Sequence, residues 1–297
     1  MREPIFIGAC TALITPFDPS GAICYDALAA LIEAQIAGGI DALCVCGTTG
    51  EASTLSHEEQ LAVISFSVKQ VNHRVPVIAG AGSNSTQTAA ELSRRARDAG
   101  ADGLLHVTPY YNKASQRGLL RHYETIAAAT ELPIILYNVP GRTGVSFTAE
   151  TYAALSQIPT INGIKEASGN LSLMMHTRAQ CGDDFTIWSG NDDQVVPLMS
   201  LGARGVISVL SNLAPQVMVK LTHLCLNGEF SDAAKLQLFY LSLTDALFVE
   251  VNPIPVKAAQ SLLGLAGGGL RLPLCDISPQ NQARLRHAMV QTGLLTA

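Results

Sequence analysis

Eight short Val- and Ile-rich runs, spaced by amphipathic segments of helical length, predict an α/β fold: a (β/α)8 barrel (TIM barrel) with a C-terminal helical extension. A third observation supports the extension. Near residue 228 the alternation stops, and helical periodicity continues to the end of the chain without intervening strands. A doubly wound sheet is the competing arrangement, but no G-x-G-x-x-G follows the first run.

The first strand is expected within "IGACTALITP" (7–16), followed by a helix in "DALAALIEAQIAGG" (26–39), where apolar residues return every three to four positions. "DALCVCG" (41–47) is the second strand, and "HEEQLAVISFSVKQVN" (57–72) the next helix, with Ser56 and Glu59 in capping-box spacing before it. Strands three to eight are expected in "VPVIAGAG", "GLLHVTP", "PIILYNVP", "INGIKEAS", "FTIWSG" and "GVISVL". Helices end in Gly or Asn, at Gly38-Gly39, Asn72 and Gly100, where a left-handed residue is wanted. "AGGIDAL", "DAGADGLL" and "LGARGVI" are one helix-to-strand junction used three times. The expected division is a catalytic barrel over residues 1–228 and a helical subdomain over 229–297, in which "NPIPVK" (252–257) is a turn that starts a helix.

Composition narrows the function. With 297 residues, 48% of them hydrophobic and 14% charged, the chain has ample material for a large core. A net charge of −5 without a basic block argues against a nucleic-acid partner. No apolar run reaches the roughly 18–20 residues of a membrane span. The N-terminal "MREPIFIGAC" does not read as a signal peptide, so a cytoplasmic location is expected. The seven cysteines have no framework spacing and no C-x-x-C pair, and are expected to be buried as small hydrophobes. The sequons at Asn84 and Asn170 carry no meaning without secretion.

In such a barrel the active site lies at the C-terminal ends of the strands. Those ends carry "GTTGE" (47–51), "TPYYNK" (108–113), "YNVPGRTG" (137–144), "KEASG" (165–169), "SGND" (189–192) and Ser208. Of six lysines, only Lys165 terminates a barrel strand. It is either an amine nucleophile, made neutral by desolvation, or a lysine satisfied by a buried ion pair with Glu166. Tyr137 ends the neighbouring strand, either to relay protons to that amine or to pack. Thr48 and Thr49 form a hydroxyl cradle for a carboxylate or carbonyl, or else cap a helix. Arg142, in a loop, either clasps a carboxylate with its planar fork or caps the next helix.

Other templates fail. "HEEQL" (57–61) has Leu where H-E-x-x-H needs His. The acidic pairs Asp183-Asp184 and Asp192-Asp193 lack a histidine at ligand spacing and read as solvated loop acids or caps. "AGGGL" (266–270) lacks the G-K-[ST] of a phosphate loop. No metal and no cofactor is expected.

Six motifs in order, "GTTGE", "TPYYNK", "YNVPGRTG", "GIKEASG", "GVISV" and "NPIPVK", resemble the pyruvate-dependent class I aldolases of the N-acetylneuraminate lyase superfamily, and among them the 4-hydroxy-tetrahydrodipicolinate synthase (dihydrodipicolinate synthase) family. The resemblance covers essentially the whole chain. It implies that Lys165 forms a Schiff base with pyruvate, whose enamine attacks L-aspartate 4-semialdehyde. Tyr137, Thr48 and Tyr111 match a proton relay, with Tyr111 supplied by a neighbouring subunit. Thr49 and Ile207, with Gly190 close by, match the positions that hold pyruvate, and Arg142 matches the aldehyde-binding arginine. "GRTG" after the tyrosine favours the synthase over a retro-aldol lyase of keto sugar acids, the alternative within the superfamily. An inactive barrel serving as a binding protein is disfavoured, because the lysine and tyrosine are both present. The resemblance further implies a homotetramer, built as a dimer of dimers. It also implies a lysine-binding allosteric site at Ala52, Ser53, His57, Gln60, Asn84, Thr88 and Tyr110. Thr88 and Gln60 stand where inhibited members carry Glu and His, so weak or absent inhibition is expected.

Overall fold

The computed structural model describes residues 2–265 and 267–296; Met1, Ala266 of "AGGGL" and Ala297 at the end of the tail lie outside the described residues. Eight parallel strands close into a barrel in chain order: β1 (Gly8–Ala12), β2 (Ala42–Val45), β3 (Val77–Gly80), β4 (Gly103–Val107), β5 (Ile134–Asn138), β6 (Ile161–Glu166), β7 (Thr186–Ser189) and β8 (Gly205–Ser208). The ring is sealed by β1 pairing with β8, Cys10 opposite Ile207. Each strand is covered on both faces, which is why apolar residues run through it without a polar alternation.

The pleat sorts the strand residues into two layers. Cys10, Ala12, Ala42, Cys44, Ile78, Leu105, Ile135, Tyr137, Trp188 and Ile207 fill the barrel interior, where Phe6 stacks on Trp188 at 5.0 Å between centroids. Their strand neighbours Leu43, Leu104, Leu136, Ile164, Ile187 and Val206 point outward into the larger core beneath the helices.

That outer layer is made by α1 (Tyr25–Ala37), α2 (His57–Val71), α3 (Thr86–Asp98), α4 (Gln116–Ala127), the single turn α5 (Pro140–Thr143), α6 (Ala149–Leu155), α7 (Leu171–Cys181), α8 (Val195–Ser200) and α9 (Pro215–Leu226). Ser56 and Glu59 form the expected capping box on α2. Asn170, in one of the two sequons, caps α7 by accepting from Leu173 N–H. The repeated junction has a physical basis, since Gly39, Gly100 and Gly202 all adopt positive φ of 80–90° as the chain leaves a helix for a strand. Gly38 is right-handed instead, so only the second glycine of that pair supplies the turn.

Beyond α9 the tail forms α10 (Phe230–Leu247), α11 (Ile254–Leu262) and α12 (Pro279–Gln291), with α10 packed on α8, α9 and α12. Two expectations need correction. Arg142 lies in α5 rather than in a loop, because Pro140 at the first position and Gly144 at a left-handed exit enclose one helical turn. The cysteines are only partly buried: Cys10, Cys44, Cys46 and Cys225 are, Cys24 and Cys181 are half-buried, and Cys275 is exposed. Cys46 also leaves the alternation begun by Cys44, since its φ of 54° turns the chain out of β2.

Candidate active site

Lys165 sits on the inner face of β6, paired in register with Tyr137 of β5 on one side and Trp188 of β7 on the other. Only 5% of Lys165 is exposed, and its Nζ lies 4.4 Å from the centroid of the Tyr137 ring. Cys10 and Cys44 stand near it on the barrel floor, their thiols raised by burial and drawn partly back by the lysine's charge.

Glu166 does not pair with Lys165. It points outward, where its carboxylate accepts from Ser168 N–H at 2.6 Å, Tyr152 Oη at 3.0 Å and Asn138 Nδ2 at 3.1 Å. Burial pushes that carboxyl above its ordinary range, opposed by these hydrogen bonds. The two-residue period of the strand makes an ion pair between the adjacent side chains unreachable.

Beside Tyr137 opens a cavity of about 350 Å³ whose lining includes Thr48, Tyr137, Arg142, Tyr110, His57 and Gln60, whereas Lys165, Thr49, Gly190 and Ile207 are not part of its wall. Thr48, Tyr137, Arg142, His57 and Tyr110 therefore share one cavity wall, which Tyr137 joins to Lys165. Gly190 lies directly against the lysine: a Cβ there would stand 3.1 Å from Lys165 Cε and 2.8 Å from Ala167 Cβ, so the site requires a glycine. Ile207 packs inside the barrel with Tyr137. Thr49 is buried and accepts a hydrogen bond from Asn252 Nδ2 at 3.0 Å. Neither threonine caps α2, a task that Ser56 fulfils. Arg142 does not cap the following helix, whose N-cap is Thr148; its Nη2 donates to the Asn252 carbonyl at 3.2 Å.

Tyr111 does not line the cavity of its own chain. It is 90% exposed, with a left-handed φ of 73°. Ala52 and Ser53 join His57 and Gln60 along the cavity wall, whereas Asn84 stays outside and donates from Nδ2 to the Tyr110 carbonyl at 3.2 Å. Thr88 is spent in the first turn of α3, its N–H capped by Ser85 Oγ.

Three features escaped the sequence reading. Asn252 of the tail touches both Thr49 and Arg142. Lys257, expected simply to open a tail helix, is buried and paired with Glu51 of "GTTGE". Asp192 is no solvated loop acid: it is buried, accepts from Val209 and Leu210 N–H at 3.0 and 2.9 Å, and so holds the chain beyond β8. Burial raises its carboxyl, with hydrogen bonds and the Lys165 charge acting the other way. Acidic pairs read as surface because burial of one member depends on barrel closure, which leaves no local signal.

Among the described residues, no cluster of three or more His, Cys, Asp or Glu is arranged to hold a metal ion, and no helix is long and apolar enough to cross a membrane.

Residues 5–292 match the model of the Dihydrodipicolinate synthetase family. A 4-hydroxy-tetrahydrodipicolinate synthase of Acetivibrio thermocellus is 50% identical over 295 residues, 99% of this chain and 100% of the relative. A crystal structure of the enzyme from Cyanidioschyzon merolae with lysine bound is 41% identical, with a TM-score of 0.96 over 99% of this chain and 100% of that one. Another, the chloride-inhibited dihydrodipicolinate synthase from Acinetobacter baumannii complexed with pyruvate, is 42% identical, with a TM-score of 0.95 over 97% and 99%. With identity of this order along its whole length and a lysine–tyrosine pair at the barrel mouth, the chain belongs to the dihydrodipicolinate synthetase family.

Proposed function

We propose that this chain is a Schiff-base-forming lyase that condenses pyruvate with L-aspartate 4-semialdehyde to give 4-hydroxy-tetrahydrodipicolinate, in lysine and diaminopimelate biosynthesis. The observation that carries the reading is Lys165 Nζ, held inside the barrel 4.4 Å from the Tyr137 ring, while the adjacent carboxylate of Glu166 is engaged on the other face of the strand.

The amine adds to the C2 carbonyl of pyruvate and water leaves, forming the imine. The protonated imine is the electron sink, so loss of a methyl proton gives an enamine with no bound cofactor. The enamine carbon attacks the aldehyde, whose oxygen takes up a proton. The amino group of the semialdehyde then adds at C2, closes the ring and expels Lys165 as the free amine. Tyr137 and Thr48, both on the cavity wall, carry protons between these steps, with Tyr111 completing the relay from a neighbouring copy. Thr49, Gly190 and Ile207 hold the keto acid, and the Arg142 fork holds the carboxylate of the semialdehyde.

The 90% exposure of Tyr111 supports assembly, and a homotetramer built as a dimer of dimers is the proposed form. Residues 1–228 act as the catalytic barrel and 229–297 as a docked helical subdomain. The seven unpaired cysteines fit a reducing compartment, and a cytoplasmic location is proposed on that ground.

Borohydride reduction of the enzyme with pyruvate, followed by peptide mapping, tests the reading. The adduct is expected on Lys165 and absent in Lys165→Ala; a labelled peptide elsewhere, or none, overturns it. A coupled assay that consumes pyruvate only when aspartate semialdehyde is present separates the synthase from a keto-sugar-acid lyase.

A further inference from the structure

The "GTTGE" turn carries Thr48 and Thr49 into the site, and at its end Glu51 points away from them into a buried cluster of charges. Glu51 adopts φ of 53°, a left-handed conformation that strains a non-glycine residue. Its side chain is fully buried, with Oε1 receiving Lys257 Nζ at 2.5 Å and Oε2 receiving the backbone N–H of Arg271 at 3.2 Å. Lys257 also donates to the Gly269 carbonyl at 2.7 Å. The Phe17 ring contacts both cations, its centroid 4.3 Å from Lys257 Nζ and 4.4 Å from the Arg271 guanidinium carbon. Arg271 is fixed in turn by Glu59 at 2.6 and 2.8 Å, and by the carbonyls of Gly21 and Thr54.

A buried ion pair is a poor source of net stability, because the cost of desolvating both charges is of the same order as their attraction. What it supplies is one geometry. The turn is also tied by Glu51 N–H to the Thr48 carbonyl at 3.1 Å, Ala52 N–H to the Gly47 carbonyl at 3.3 Å, Thr15 Oγ1 to the Gly50 carbonyl at 2.7 Å and Asn252 Nδ2 to Thr49 Oγ1 at 3.0 Å, while Thr54 N–H and Oγ1 donate to the Glu51 carbonyl at 3.0 and 3.1 Å. None of these contacts holds the Glu51 side chain, so loss of its clamp lets the strained residue relax and shift the threonines.

We propose that Glu51 is a positioning residue: clamped by Lys257 and Arg271 of the C-terminal tail, it sets the 47–51 turn so that Thr48 and Thr49 meet the keto acid on Lys165. The inference rests on the Schiff-base reading above and deepens it, making the tail part of the pyruvate half-reaction.

The test compares wild type with Glu51→Asp, Glu51→Gln, Lys257→Met and the Glu51→Gln/Lys257→Met double variant. Glu51→Asp keeps the charge and withdraws it by one methylene. The expected outcome is a drop in kcat/KM for pyruvate of about tenfold to a hundredfold, the scale of an ångström-sized misplacement. The double variant should be no worse than the poorer single one, the KM for the semialdehyde should change little, and Lys165 should still be trapped in full, though more slowly. Folded variants with unchanged pyruvate kcat/KM overturn the proposal. So does a loss matched entirely by fewer trappable sites, with normal turnover per site, because that is a stability effect. Where Glu51→Gln does not fold, Glu51→Asp and Lys257→Arg decide on the same criteria. A wild type that traps no pyruvate is the distinct result that sinks the Schiff-base reading, and the clamp with it.

Discussion

Lys165 and Glu166 are neighbours in the chain, yet the wall of the barrel stands between their side chains: one lies over the Tyr137 ring inside, the other accepts from Tyr152 Oη outside. The carboxylate therefore neither partners nor quenches the amine. Glu166→Gln should leave the rate of pyruvate trapping at Lys165 nearly unchanged. It should lower stability by about 1–3 kcal/mol, since the new amide N–H meets the Asn138 donor and one hydrogen bond is lost in a buried site. Urea denaturation and timed borohydride trapping measure the two effects separately; a large fall in trapping rate in the folded variant contradicts the assignment.

Tyr137→Phe retains the ring that packs under Lys165 Nζ and removes only the hydroxyl. Fold and pyruvate adduct should persist, while turnover falls by roughly 10²–10⁴-fold, the usual loss for a positioned acid–base group. A variant with more than a tenth of wild-type kcat rules out the hydroxyl as a relay.

Tyr111 supports a prediction that needs a second copy. Its side chain is 90% exposed and absent from the wall of its own cavity, so a role in proton transfer requires delivery across an interface. Mixing inactive Lys165→Ala chains with inactive Tyr111→Phe chains should restore part of the activity, because a mixed dimer carries one intact site. No recovery after subunit exchange, confirmed by mass, counts against the shared site.

The legible part of this molecule is what local pattern encodes. Eight strands could be read because each is a short, doubly buried run bounded by glycine or proline, and Lys165 stood out because an amine interrupts such a run. Contacts between distant segments left no trace: Asn252 meets Thr49 across 203 residues, and Lys257 meets Glu51 across 206. The one-turn helix around Arg142 is too short for periodicity to register, although Pro140 and Gly144 mark its two ends.

Regulation by lysine should be weak or absent. Gln60 is buried and spends its amide on the Ala52 carbonyl at 2.7 Å, and Thr88 places no carboxylate where an ammonium group needs one. Initial rates with sub-millimolar lysine are expected to match those without it, and Thr88→Glu is expected to introduce sensitivity. A clear drop for the unmodified chain refutes the first expectation.

Acid should unfold the protein through two histidines outside the site. His106 of β4 is buried, with Nε2 3.0 Å from Ser93 Oγ; that hydroxyl donates to the Ala89 carbonyl, so the imidazole is the donor and its Nδ1 has no partner. His122 of α4 contacts Thr86 Oγ1 through Nδ1 at 2.9 Å and leaves Nε2 buried and unpaired. Burial lowers both from the ordinary 6.5, to about 3 for His106, where the nearby His122 adds to the effect, and to about 4 for His122 itself. Both are thus neutral when folded and take up a proton on unfolding below pH 6.5. Their contribution is complete above that pH and is lost as pH falls toward 4 and then 3, at about 1.4 kcal/mol per pH unit for each histidine. Denaturation midpoints measured from pH 7.5 to 4.5 should stay flat down to about 6.5 and then fall with a slope approaching two protons per chain. The double variant His106→Asn/His122→Asn should lose most of that slope whatever its stability at neutral pH; an unchanged slope overturns the assignment, because a carboxylate such as Glu59, lowered to about 2 chiefly by its hydrogen bonds from Arg271, loses its contribution only below its ordinary 4.5.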